Sequence, residues 1–304
     1  MSDRAPARPG RSRSQASRPL QVAVIGVGLI GGSIGMAARR RLGAHVLGYD
    51  QDAQALSRAR RLGAIDQPCE QLASAVGAAD YAFVSVPVGA SVSTVREVLA
   101  ACGPDCVVSD VCSTKRHITR EVIDPRFLGG HPLAGAESAG VQSAREDLFD
   151  SAVWYLTPVS AEEAPALARV DALVQQLGAR PVVLDADSHD RLMASVSHLP
   201  HVLANVLVTQ ALRAEPPRDG DPRAIASVGS NPSFRDATRV AGANTAIWKD
   251  IYMSNGDLLA EAIDEAIREL SGVRDALDAE DADALGAWQE QAREGRERLA
   301  PKDS

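Results

Sequence analysis

Residues 22–32 read Val-Ala-Val-Ile-Gly-Val-Gly-Leu-Ile-Gly-Gly, an apolar run that breaks into glycines at Gly26, Gly28 and Gly31 and then continues as a helical pattern. Few folds accommodate that order. A strand over 22–25 must turn sharply into a helix that opens with Leu29 and Ile30. Gly26 permits the turn, Gly28 lets the backbone approach a pyrophosphate, and Gly31 lets the helix pack on the strand. The unsatisfied amides at the helix start attract the anion. A second strand at 44–49 runs into Asp50, nineteen residues after Gly31, which is the separation expected of an acid that hydrogen-bonds a ribose 2′-hydroxyl. The stretch therefore predicts a dinucleotide site, with a bare βαβ turn as the alternative. A carboxylate at Asp50 repels a 2′-phosphate and Gln51-Asp52 add no cation, so NAD is expected rather than NADP. Arg39, Arg40 and Arg41 end the first helix, where cations complement the carbonyl end, and are expected to face solvent.

Downstream, strand and helix patterns alternate as a doubly wound sheet requires. Strands are expected at 22–26, 44–49, 80–86, 106–110, 127–130, 152–157 and 181–184, with helices around 29–42, 53–62, 90–101, 114–123 and 162–177. After about residue 188 the strand signals stop. Helical patterns follow at 191–213, 249–277 and 281–299, with a short element at 237–242 and a loop at 216–222. A chain of 304 residues exceeds the comfortable size of one core. The expected organisation is a tail over 1–18, a Rossmann-type α/β domain over 19–187, and an all-α domain over 188–304.

Composition narrows the function. The net charge of −8 argues against a general nucleic-acid binder. No continuous apolar run approaches the ~18 residues needed to cross a bilayer, so no membrane partner is expected. Residues 1–18 carry Arg4, Arg8, Arg11, Arg13 and Arg18 among prolines and serines, without an apolar segment; they read as a disordered, solvated tail, the alternative being an organellar transit peptide. Cys69, Cys102, Cys106 and Cys112 show no Cys-x-x-Cys spacing, which fits reduced thiols and a cytoplasmic protein. Cys112 stands out because it follows a strand on the cofactor side.

Ligands in such sheets bind beyond the carboxyl ends of the strands. Three strand ends carry polar residues. Ser85 and Pro87 end one strand and should pass beside the cofactor. Asp110-Val111-Cys112-Ser113-Thr114-Lys115 ends the next, with Ser113 or Thr114 as a helix cap. Gly129-Gly130-His131-Pro132 ends the third. A histidine between Gly-Gly and a proline sits on a sharply turned backbone, where its imidazole is either aimed at a substrate or stacked on the loop for structural reasons.

Taken together, Gly-Val-Gly-Leu-Ile-Gly-Gly-Ser at 26–33, Asp-Val-Cys-Ser-Thr-Lys at 110–115, Gly-Gly-His-Pro-Leu-Ala-Gly-Ala-Glu at 129–137, Ser-His-Leu-Pro-His at 197–201 and Thr-Arg-Val at 238–240 resemble the prephenate/arogenate dehydrogenase family. The motifs run in family order from about residue 21 to Trp248. The resemblance implies a nicotinamide-binding domain followed by a helical domain that dimerises, and NAD-dependent oxidative decarboxylation of prephenate, or alternatively of arogenate. It implies that His131 is the catalytic base and that Ser113 hydrogen-bonds the same hydroxyl region. Arg239 would grip the ring carboxylate, and His201 would contact substrate. His198 would hold the site, in part against Trp248, and Glu137 would stand near the entrance. The loop from Ser138 to Ser143 offers no acid for the ammonium of arogenate, which favours prephenate. His198 and His201 lack further ligands at metal-site spacing, so no metal is expected. A β-hydroxyacid dehydrogenase would need a lysine on the first long helix of the second domain, and 189–213 contain none. A non-catalytic NAD-binding regulator would not need His131, Ser113 and Arg239 together.

Overall fold

The computed structural model describes residues 18–135, 140–213, 229 and 231–299. Residues 1–17 of the expected 1–18 tail, Glu137 and the loop at 216–222 lie outside the described residues. Eight strands form one sheet in the order β3-β2-β1-β4-β5-β6-β7-β8. They are β1 (Gln21–Ile25), β2 (His45–Tyr49), β3 (Gln67–Cys69), β4 (Tyr81–Val84), β5 (Val107–Asp110), β6 (Phe127–Pro132), β7 (Val153–Thr157) and β8 (Arg180–Val183). All neighbours run parallel except β6 and β7, which pair antiparallel with His131 opposite Tyr155. Alternate residues of β1 serve opposite faces: Val22 and Val24 join one buried cluster, Ala23 and Ile25 the other. Burial on both faces is why the strands read as unbroken apolar runs rather than as alternating patterns.

Helices α1 (Leu29–Leu42), α2 (Ala53–Arg61), α3 (Leu72–Val76), α4 (Val88–Ala101), α5 (Arg116–Glu121) and α6 (Ala164–Gln176) cover the sheet. Two of these elements depart from the seven strands and five helices expected. Strand β3 is three residues long, carries Pro68 and lies at the sheet edge, where a proline costs no ladder bond; such a strand leaves no periodic signal. Helix α3 spans little more than one turn. Arg39 and Arg41 also differ from expectation. Rather than simply facing water, Arg39 pairs with Asp66 at 2.8 Å and bonds the Gly63 carbonyl, while Arg41 donates to the Leu177 carbonyl at 3.0 Å and pairs with Asp150. They tie the end of α1 to its neighbours.

Beyond β8 the described chain is helical. Asp185 caps α7 (Ala186–Met193) by accepting from the Ser188 amide at 2.8 Å, so the helix starts before the expected Arg191. It continues through a π-turn at Ala194–His198 into α8 (Leu199–Arg213). The 28-residue helix is long and apolar enough in one window to meet a length-and-hydropathy criterion for a membrane span. Its apolar content has another use: Ala194 and Ala204 are buried, while Leu203, Val206 and Leu207 remain partly exposed on its outer side. The pattern expected as one helix over 249–277 is two, Thr245–Ser254 and Gly256–Asp278. The break falls at Asn255, whose fully buried side chain donates to the Asp190 carbonyl at 2.8 Å and lies 3.2 Å from His198 Nδ1.

Candidate active site

The glycine turn has the shape a dinucleotide needs. Gly26 has φ +91°, and a Cβ there would lie 2.2 Å from the Ser85 carbonyl oxygen, so only glycine fits beside the β4 end. A Cβ on Gly28, by contrast, would meet nothing within 4 Å, which leaves its backbone open to an approaching ligand. Gly28 caps α1 without a side-chain hydrogen bond, so Leu29 and Ile30 open a helix whose first amides have no side-chain partner at the cap. Asp50 extends from the end of β2. One carboxylate oxygen accepts from the Val27 amide at 2.9 Å and the other from the Asp52 amide at 2.9 Å, leaving further lone pairs beside the glycine turn for a diol. Ser85 follows β4, its amide bonded to the Ile25 carbonyl at 2.7 Å, and Pro87 caps α4. The geometry of these residues fits NAD.

The ends of β5 and β6 are joined by a buried ion pair that sequence reasoning did not assign. Lys115 and Asp110, both fully buried, form a short contact. Lys115 Nζ also donates to the Gly130 carbonyl at 2.7 Å. Asp110 accepts from the Cys112 amide at 2.9 Å and from the Gly130 amide at 3.1 Å. The N–H and the C=O of Gly130, which belong to the two peptide planes flanking its Cα, are thus both held by the segment at and just after the end of β5, which fixes the backbone directly ahead of His131. The signal was in plain view, since an acid and a lysine five residues apart bracket the strand end, but a surface salt bridge has the same spacing.

His131 is 8% exposed at the end of β6. Burial, followed by the neighbouring His189, Lys115 and His198, holds its pKa well below the ordinary 6.5, so the imidazole is neutral at neutral pH. Its Nδ1 lies 2.9 Å from His189 Nε2, and His189 Nδ1 lies 2.7 Å from Asp190 Oδ1. Tyr155 packs edge-on against His189 with ring centroids 5.4 Å apart. His189 and Asp190 are functional-site neighbours that the motifs did not reveal: they lie on α7, 58 residues from His131 in the chain.

Ser113 is half-buried ahead of α5, but neither it nor Thr114 caps that helix. The helix starts at Arg116, and the carboxylate of Asp190 accepts from the amides of Lys115 at 2.7 Å and Arg116 at 2.9 Å. A cap from a distant helix replaces the local one. Thr114 instead shares a hydrogen bond of 2.8 Å with Ser254. Cys112 is buried and its thiol is pushed up to about 12, chiefly by desolvation, so it stays protonated and unreactive.

His198 and His201 sit on either side of the end of the π-turn. His201, not His198, stacks on Trp248, at 3.5 Å between centroids and 18° between planes, and its Nδ1 lies 2.7 Å from the Tyr252 hydroxyl. His198 meets Trp248 edge-on at 6.1 Å; burial lowers its pKa to about 4. Arg239 begins a 3-10 turn, Arg239–Gly242, that packs on α8, and its side chain is exposed. Among the described residues no cluster of His, Cys, Asp and Glu has the makings of a metal site.

A Rossmann-type sheet with a glycine turn, an acid after β2 and a buried neutral histidine where a helical domain closes over the strand ends defines an NAD-dependent dehydrogenase. Comparison with known proteins narrows the class. Residues 34–183 match the family model described as prephenate dehydrogenase, nucleotide-binding domain, and residues 185–291 match prephenate dehydrogenase, dimerization domain. The chain is 33% identical over 287 residues to the prephenate dehydrogenase of Bacillus subtilis, covering 91% of this chain and 76% of that protein. It is 32% identical to the cyclohexadienyl dehydrogenase of Zymomonas mobilis, covering 87% of this chain and 90% of that protein. Its fold is shared with the crystal structure of prephenate dehydrogenase from A. aeolicus in complex with hydroxyphenyl propionate and NAD+. That likeness has a TM-score of 0.85 at 24% identity, over 94% of this chain and 100% of that one. The chain belongs to the prephenate dehydrogenase family.

Proposed function

We propose that this chain catalyses the NAD+-dependent oxidative decarboxylation of prephenate to 4-hydroxyphenylpyruvate and CO2. The observation that carries the reading is a buried, neutral His131 on a backbone pinned by Asp110 and Lys115, at the same end of the parallel strands as the glycine turn. NAD+, held by the Gly26–Gly28–Gly31 turn and Asp50, supplies the hydride acceptor. The ring carbon bearing the hydroxyl loses hydride while His131 takes the hydroxyl proton. The bond to the ring carboxylate then breaks to release CO2, and its electron pair aromatises the ring. The resulting phenolate oxygen recovers the proton. Ser113 is the hydrogen-bonding partner for the same hydroxyl, and a guanidinium at Arg239 can take the ring carboxylate through two parallel hydrogen bonds. His201, stacked on Trp248, lines the substrate side, with His198 behind it. Glu137 is assigned to the entrance on its motif alone.

Rates of NADH formation with prephenate and arogenate, each with NAD+ and NADP+, test the reading. Prephenate with NAD+ is the combination expected to turn over; turnover of arogenate alone would reverse the substrate assignment. Replacing Arg239 with Ala is expected to act mainly on KM for prephenate, with kcat changing less, because it removes a grip made already in the ground state. Replacing Asp50 with Ala should relax the preference for NAD+ over NADP+ and loosen the turn, since the Val27 amide loses its acceptor. An unchanged cofactor ratio would show that Asp50 is not on the ribose.

A division of the chain close to the expected 187/188 is supported by the end of β8 at Val183 and by the Asp185 cap, which opens the helical part about three residues earlier. A homodimer is supported by the apolar side chains left partly exposed on the helical part: Leu203, Val206, Leu207 and Leu212 on α8, and Ile267 and Leu270 beyond it. Light scattering should report about twice the chain mass of 32.0 kDa. The four free cysteines support a cytoplasmic location.

A further inference from the structure

We propose that His189, oriented by Asp190, sets the tautomer of His131, so that the base is placed in its working protonation state from the far side of the junction between the α/β and helical parts. The inference rests on the reading of His131 as the base. It starts at Asp190, which is fully buried and accepts from two amides at once, Lys115 at Oδ1 and Arg116 at Oδ2. With a backbone N–H directed at each oxygen, both oxygens of Asp190 stand as acceptors. The ring nitrogen 2.7 Å away, His189 Nδ1, therefore carries a hydrogen. In the neutral ring His189 Nε2 is then bare. It lies 2.9 Å from His131 Nδ1, so that nitrogen must be the donor. The hydrogen of neutral His131 is thus drawn to Nδ1, and the lone pair stands on Nε2.

That tautomer is the useful one. Nδ1 is occupied by His189, which leaves Nε2 as the ring nitrogen that can take the substrate hydroxyl proton. When it does, the imidazolium still donates through Nδ1 to His189, so the added charge is stabilised without any side chain moving. The proton returns from Nε2 to the phenolate oxygen, and no further reactant is needed. The device depends on tertiary packing throughout. His131 belongs to β6 and His189 and Asp190 to α7, while Asn255, at the break between two helices, holds the Asp190 backbone carbonyl at 2.8 Å. His189 and Asp190 are positioning residues, acting through His131 rather than on the substrate.

The test is a two-bond proton–nitrogen correlation spectrum of protein labelled with nitrogen-15 in its six histidines, recorded at neutral pH, with the His131 signals assigned by their loss in His131→Asn. The wild-type protein is expected to show His131 protonated at Nδ1 and bare at Nε2. A wild-type His131 protonated at Nε2 overturns the proposal, and this outcome needs no variant to fold. In His189→Leu the preference for Nδ1 should fade and kcat should fall about 10- to 100-fold, by analogy with the loss seen when the outer partner that orients a metal-ligating histidine is removed. KM for prephenate should stay near its original value. His189→Gln, whose carbonyl can still accept from Nδ1, should recover part of kcat. A folded His189→Leu with unchanged tautomer and kcat also overturns the proposal. Full turnover by His131→Asn would instead remove the base reading itself, whatever the tautomer.

Discussion

Exchanging His131 for Asn is expected to lower kcat by about 10²- to 10⁴-fold, the range for loss of a general base, while NAD+ binding measured by fluorescence titration stays unchanged. The asparagine is close in volume and can keep a contact to His189, so the fold around it should persist. What it cannot do is accept and return a proton. The pH dependence should report the same group. A base works in its deprotonated form, so activity is lost as pH falls through its pKa. Burial holds the His131 pKa well below 6.5, which puts the acid limb of kcat/KM, a property of the free enzyme, below pH 6.5 and leaves the rate level above it. An acid limb above pH 7 would mean that another group controls the step.

The second large effect concerns stability. Lys115→Met removes one partner of a fully buried pair and leaves the Asp110 carboxylate without its cation. Breaking such a pair typically costs about 3–5 kcal/mol, and for domains of this size each kcal/mol lowers the melting temperature by about 2–4 °C. Calorimetry should therefore show a drop on the order of 10 °C. Asp110 keeps its bonds from the Cys112 and Gly130 amides, which argues for the lower part of that range. The Gly130 carbonyl also loses its donor, so His131 should be less well placed, and kcat should fall even at temperatures where the variant is folded. An unaltered melting temperature would refute the assignment of this pair as the support beneath His131 at the end of β6. Adding Asp110→Asn should restore part of the stability, because the orphaned charge disappears.

Much of the cofactor side was legible in the sequence because its chemistry is local. The turn at Gly26, the open approach at Gly28 and the acid at Asp50 are set by residues a few positions from strand ends that show themselves as apolar runs. The short edge strand β3 was not legible, since three residues with a proline carry no periodicity. The cap of α5 was misread for a different reason: Ser113 and Thr114 have the right chemistry for a local cap, but Asp190 reaches the Lys115 and Arg116 amides from another helix. Likewise His198 was expected to hold the site in part against Trp248 and His201 to contact substrate, yet packing puts His201 on the face of Trp248 while His198 takes its edge and the buried Asn255.

The sequence by itself determined the α/β and helical division, the dinucleotide turn, the preference for NAD and the position of His131, because turns, caps and strand ends are governed by neighbours in the chain. The tertiary structure alone decided what kind of histidine His131 is. Its neutrality comes from burial, its backbone is held by a lysine and an aspartate that no spacing rule distinguishes from a surface pair, and its hydrogen-bond partner lies 58 residues away. Protonation and tautomer are properties of an environment, and that environment exists only once the helical part has closed over the ends of the strands.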